Sequence, residues 1–167
     1  SYTFFKPIES DVTGRCKVVP LDALRESEVF EGLGDDELAI VAEMARQETY
    51  EPGAGILAEN EEAKDLYIVL QGRVAILIDV GQGKQIVVDT VTKNGSFGWS
   101  AMVPPYVYTA SAKCSERTKV VAVPGSGLRD LCRANCRTCY SIMERLATVI
   151  SARLKDTRLQ LISLLYG

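Results

Sequence analysis

An α+β fold, in which an antiparallel β jelly-roll barrel is flanked by N-terminal helices and a long C-terminal helix, is predicted by three patterns in the chain. From Glu48 to Val123, short runs rich in Val, Ile and Tyr are broken by Gly, Pro and Asn. Alternation along such strands buries one face of each, which suits an antiparallel sandwich or barrel. Ahead of this region apolar residues recur at helical spacing, and behind it the pattern is helical again. Strands do not alternate with long helices, which argues against a doubly wound parallel sheet.

With 167 residues, 47% of them hydrophobic and 25% charged, the chain has the size and composition of one globular domain around one core. Residues 1–20 lack periodicity and read as a peripheral arm; residues 21–167 read as the domain. No apolar run approaches the ~18 residues of a membrane span, and the start lacks the basic and apolar regions of a secretory signal. A cytoplasmic location without a membrane partner is expected. The net charge is −3 and basic residues are dispersed among acidic ones, so no phosphate-neutralising stripe is visible and no nucleic-acid contact is expected. Arg145, Arg153, Lys155 and Arg158 are spread along a helical pattern and read as a solvated helix face. Histidine is absent, which removes Ser-His-Asp and Cys-His catalysis and every zinc site that needs an imidazole. The protein is therefore not expected to be an enzyme. Five cysteines, an odd number, favour reduced thiols.

The first helical signals, Leu24, Val29, Phe30 and Leu33, begin near Leu21. Asp35 or Asp36 then offers an N-cap for a helix to about Met44 that buries Leu38, Ile40, Val41 and Met44. Leu66–Leu70 is a strand ended by Gly72, and Arg73–Ile78 is another. It is followed by a glycine-rich hairpin turn, Gly81-Gln82-Gly83, and by Ile86–Val88. Lys119–Val123 closes the region. Gly125-Ser126-Gly127 precedes a short helix through Leu128, Leu131 and Cys132, and a longer helix runs from about Cys139 to Leu165. Along the longer helix Tyr140, Met143, Ala147, Ile150, Leu154, Thr157, Leu161 and Leu164 alternate spacings of three and four, which makes a coiled-coil seam. Ile142, Leu146 and Val149 form a second stripe. Two apolar faces call for two partners, the barrel and a second copy of the chain; a single wide face packed on the barrel is the alternative.

The order of helix, strands, short helix and long helix resembles the cyclic-nucleotide-binding domain shared by catabolite-activator-type regulators, kinase regulatory subunits and gated channels. The resemblance covers Leu21 to Leu165. It is carried by Tyr50-Glu51-Pro52-Gly53-Ala54-Gly55-Ile56, similar to the family's turn into the second strand, and by Leu66-Tyr67-Ile68-Val69-Leu70-Gln71-Gly72-Arg73-Val74. Between them Asn60 stands where the family has glycine, and asparagine tolerates positive φ better than most residues. In relatives a DNA-binding winged helix follows the long helix; here the chain ends at Gly167.

A third motif bears on function. The family's phosphate-binding cassette, Phe-Gly-Glu-x-Ala followed by Arg-(Ala/Ser/Thr)-Ala, aligns without a gap with the stretch from Phe97 to Ala110. The resemblance assigns ligand contacts to Phe97, Gly98, Trp99, Ser100, Ala101, Tyr108, Thr109 and Ala110. In such a cassette backbone N–H groups face an anion, the arginine forks onto phosphate oxygens, and the glutamate accepts the ribose hydroxyl. Here Trp99 occupies the glutamate position and Tyr108 the arginine position. A charge-assisted bond contributes about 1.5–3 kcal/mol, so losing both implies a cyclic-nucleotide affinity weaker by about 10²- to 10⁴-fold. No cofactor is expected. Trp99, Tyr106 and Tyr108 bring three rings to one segment. They read either as a platform for an aromatic or amphipathic ligand or as plugs of a ligand-free interaction module; weak binding of cyclic AMP or cyclic GMP is a third reading. Nothing in the sequence places Arg117 or Arg73 as a replacement charge. By resemblance, occupancy of the cassette would tilt the last helix and reset a homodimer formed through Met143, Ala147, Ile150, Leu154, Thr157 and Leu161.

Cys132, Cys136 and Cys139 share the Cys-x3-Cys-x2-Cys spacing of radical iron–sulfur enzymes, but the large barrel that follows the motif in those enzymes has no room here. Buried inert thiols are the expectation. A metal site completed by Cys16 or Cys114 and a redox sensor are the alternatives. The run Glu59-Asn60-Glu61-Glu62 reads as a solvated loop, and Gly81–Lys84 lacks the helix and Ser/Thr of a phosphate-binding loop.

Overall fold

The computed structural model describes residues 18–167. Most of the arm assigned to residues 1–20, and Cys16 with it, lies outside that range. The described chain begins with α1 (Leu21–Arg25) and α2 (Asp35–Met44), passes through eight strands, and ends in α3 (Gly125–Ala134) and α4 (Cys136–Tyr166). The strands are β1 (Arg46–Tyr50), β2 (Gly55–Leu57), β3 (Asp65–Gln71), β4 (Val74–Asp79), β5 (Gln85–Val91), β6 (Ser96–Phe97), β7 (Ser111–Cys114) and β8 (Thr118–Pro124).

They form two four-stranded antiparallel sheets, ordered β1-β8-β3-β6 and β2-β7-β4-β5. The sheets face each other as in a jelly roll without joining into a closed barrel. Between them lies one apolar cluster that includes Tyr67, Val69, Phe97, Ala112 and Val120. A second cluster fills the space between the other face of the first sheet and the helices, and includes Leu24, Phe30, Leu38, Leu66, Ile68, Val121, Leu128, Ile142 and Leu146. The continuous apolar run of β3 follows from this, because its successive side chains enter opposite clusters and both faces are buried.

Several boundaries differ from the sequence reading. The N-cap of α2 is Gly34, with Asp35 the first helical residue. Neither aspartate caps the helix, because Glu37 reaches back to accept the Gly34 N–H at 2.8 Å and takes that role. Glu37 also accepts the Thr138 hydroxyl of α4, and these bonds, the Thr138 one first, hold its carboxyl below the usual range. Ile40 is 45% exposed, not buried, because it falls on the outer side of α2. The Gly125-Ser126-Gly127 segment belongs to α3 itself, and α4 starts at Cys136, three residues earlier than expected. The signal for that start is Asn135, whose side-chain oxygen accepts the Thr138 N–H at 3.1 Å. Asn60 does adopt positive φ, at 69°. Gly72 is required for a second reason besides its φ of 98°: a Cβ there would lie 2.6 Å from the Arg117 carbonyl oxygen.

Candidate ligand-binding site

β6 delivers the cassette. After Phe97 the chain turns through Gly98, at φ 78°, where a Cβ would sit 2.9 Å from the Asp65 carbonyl oxygen. A single 3-10 turn, Trp99–Met102, follows. The segment from Tyr106 to Tyr108 then pairs with the loop 60–63. Tyr108 N–H donates to the Glu61 carbonyl at 2.9 Å, Asn60 N–H to the Tyr108 carbonyl and Ala63 N–H to the Tyr106 carbonyl, both at 2.8 Å. The acidic run is thus a strap on the cassette as well as a solvated loop.

A cavity of about 180 Å³ opens between the cassette, the second sheet and α4. Seven of the eight cassette residues singled out by sequence line it: Phe97, Gly98, Trp99, Ser100, Tyr108, Thr109 and Ala110. Ala101 does not. It is fully buried behind the turn, where its carbonyl oxygen accepts from Arg129 of α3. The second sheet supplies Leu57, Ile76, Ile78, Val88, Asp89 and Ser111. Ile76 and Ile78 point the same way because they alternate along β4. Val88 and Asp89 are adjacent in sequence yet both reach the cavity, because the register of β4 and β5 slips there: Ile76 pairs with Asp89 and Leu77 with Val87.

The three aromatic rings are not brought together. Tyr106 turns toward α3, where the Arg129 guanidinium lies 4.3 Å from its ring centre. Tyr108 is buried, and its hydroxyl donates to the Asp65 carbonyl at 2.8 Å and accepts the Asp65 N–H at 3.1 Å. Burial pushes its phenol up to about 12. Both of its polar valences are spent on the scaffold, so Tyr108 acts as a strut that shows the cavity only its ring. Tyr108→Phe should strand a backbone N–H and C=O pair and cost about 1–3 kcal/mol, readable as a lowered denaturation midpoint. An unchanged midpoint would show that the hydroxyl bonds carry no weight.

The cation of the cavity comes from α4. Arg153 does not lie on the solvated face that the sequence predicts. Its side chain is instead 19% exposed, with Nη2 donating to Glu28 Oε1 at 3.1 Å and to the Ser96 carbonyl at 2.5 Å. Its Nε lies 3.3 Å from Asp89, and its guanidinium sits 4.7 Å from the Trp99 ring centre. The sequence signal was present: Ile142, Leu146, Val149 and Arg153 follow 4-3-4 spacing, so Arg153 continues the stripe that packs on the domain. Arg145 likewise is tied down, to the Glu28 carbonyl and Glu31. Arg117 pairs with Glu51 and Arg73 is exposed; neither lines the cavity. Thr157, assigned to the seam, also borders the cavity. Of the other seam residues, Tyr140, Met143, Leu154, Leu161 and Leu164 are 68%, 38%, 49%, 56% and 84% exposed, Ala147 is exposed too, and Ile150 is half-buried.

Cys132 and Cys139 neighbour each other, and burial, then the Cys139 contact, pushes the Cys132 thiol up to about 12. Cys136 is exposed. Among the described residues no group of three or more His, Cys, Asp or Glu side chains is placed to hold a metal ion.

The sequence profile of the cyclic nucleotide-binding domain matches residues 47–135, more than half of the chain, and the protein belongs to that family. A potassium channel of Oryza sativa subsp. japonica is 27% identical over 85 residues, which is 51% of this chain and 10% of the channel. A CRP-like cAMP-activated global transcriptional regulator of Mycobacterium tuberculosis is 23% identical over 145 residues, covering 87% of this chain and 63% of the regulator. The chain thus spans less than two thirds of either relative. Among solved structures, a cyclic nucleotide-binding domain from Methylobacillus flagellatus superposes with a TM-score of 0.75 at 16% identity, covering 88% of this chain and 83% of that one. At that identity the likeness shows the fold. None of the described helices is long and apolar enough to cross a membrane.

Proposed function

We propose that this chain is a non-enzymatic, cytoplasmic ligand-sensing domain that has lost high affinity for cyclic nucleotides and responds to a different small molecule through a dimer built on α4. The observation that carries this reading is the two-way hydrogen bond of Tyr108 to Asp65, which fixes a neutral scaffold residue where the family's arginine is expected. Trp99 stands where the family's ribose acceptor is expected. The volume, about 180 Å³, is below the roughly 300–1,000 Å³ usual for drug-sized ligands. The exposed seam of α4 supports the dimer, since its opposite stripe is already spent on the domain.

The emission of Trp99, the sole tryptophan, reports on the cavity directly. Titration with cyclic AMP and cyclic GMP is expected to give no saturable change in the micromolar range. Saturation there would overturn the claim of lost affinity.

A further inference from the structure

Arg153 is the single cationic side chain among the described residues lining the cavity, and it belongs to α4 rather than to the cassette. Its donors are not all used. Nε faces Asp89 and Nη2 takes Glu28 and the Ser96 carbonyl, while Nη1 makes no hydrogen bond among the described residues. A guanidinium carries five N–H donors in one plane, so the unused donors of Nη1 can take an oxygen of an oxyanion. Of its two carboxylate neighbours, Glu28 at 3.1 Å and Asp89 at 3.3 Å, Asp89 lines the cavity, is 37% exposed in its side chain and can be rehydrated if a ligand displaces it. An apolar stretch of the wall comes from Leu57, Ile76, Ile78, Val88 and Phe97, with the Trp99 ring beside the guanidinium, and hydroxyls of Ser100, Thr109, Ser111 and Thr157 border it. An apolar cavity of roughly 150 Å³ holds a molecule the size of benzene.

We infer that Arg153 is the anion-reading residue of this cavity, and that the ligand is a compact carboxylate with an apolar body of about benzene size. Its carboxylate binds Nη1 of Arg153, and its body packs on Ile76, Ile78 and Val88. Because Arg153 lies on α4, binding the anion and loading that helix are one event. Thr157, one turn further along α4, borders the same space, and its hydroxyl back-bonds to the Arg153 carbonyl at 2.8 Å. This inference rests on the sensing function proposed above and names its ligand class.

Benzoate and its neutral isostere benzamide separate charge from shape. In a titration followed by Trp99 emission, benzoate is expected to saturate and to bind about 10- to 100-fold more tightly than benzamide, the weight of one charged hydrogen bond over a neutral one. Arg153→Gln should abolish the preference, Arg153→Lys should keep part of it, and Lys155→Gln, on the exposed side of α4, should leave it unchanged. Thermal melts of each variant establish that it is folded. Equal binding of the two probes, an unchanged preference in Arg153→Gln, or no saturable response to benzoate would each overturn the inference. Tight cyclic AMP binding would sink the claim of lost affinity while leaving this comparison readable, so the two failures are distinguishable.

Discussion

Phe97→Ala is expected to lower the stability of the domain by about 3–5 kcal/mol, a large part of the roughly 5–15 kcal/mol that a domain commonly has. Phe97 is 2% exposed and stacks on Tyr67 with ring centres 5.0 Å apart and planes 8° from parallel. The two residues are register partners on β6 and β3, so the backbone ladder holds the gap open after truncation and the site cannot collapse to fill it. Phe97 is also the floor of the cavity, which the substitution would enlarge. Denaturant unfolding should show a lower midpoint at constant slope, and the melting temperature should fall by about 6–20 °C. A loss below about 1 kcal/mol would mean that the ring contributes neither packing nor stacking.

How much of this was legible in the residues depends on the kind of information each element carries. The strands and helices were readable because burial imposes a period. Leu66–Leu70, Ile86–Val88 and Lys119–Val123 all lie inside observed strands, and the Ile142, Leu146, Val149 stripe is buried as its spacing implies. Cassette residues from Phe97 to Ala110 were found by motif, since glycine at a positive φ and the following turn leave a local signature. The opposite wall was not. Ile76, Ile78, Val88 and Asp89 are ordinary strand residues whose inward direction depends on a register slip that no local pattern announces. Arg153 was misread for a different reason: a charged residue on a polar-looking stretch of helix is solvated by default, and only the tertiary placement of Glu28, Ser96 and Trp99 around it reverses that. The three rings taken together as one feature illustrate the same limit. Tyr106 and Tyr108 are two residues apart, yet one turns to Arg129 and the other to Asp65. The positive φ of Tyr106, 59°, accompanies that divergence.

Leu154→Asp combined with Leu161→Asp is expected to weaken the proposed α4 dimer by at least about 10³-fold while leaving the monomer's melting temperature nearly unchanged. Both leucines lie on the seam and are 49% and 56% exposed, so roughly half of each side chain is available for burial by a partner helix. Full burial of a leucine stabilises by about 1.5–3 kcal/mol, hence about 1 kcal/mol remains per residue. A twofold dimer contains each site twice, which gives about 4 kcal/mol lost before any cost of burying carboxylates against one another. The monomer is spared because these positions are not part of the core that Ile142 and Leu146 share with the first sheet and α2. Analytical ultracentrifugation across a concentration series checks both halves: a wild-type dimer and a monomeric variant support the seam. A dimer in both proteins would place the contact elsewhere, and a monomer in both would leave α4 answering only to the cavity through Arg153. That last distinction bears on signalling, because the side chains that hold Trp99 and the side chains that would hold the partner lie on adjacent faces of the same turn, and a shift of Arg153 moves Leu154 with it.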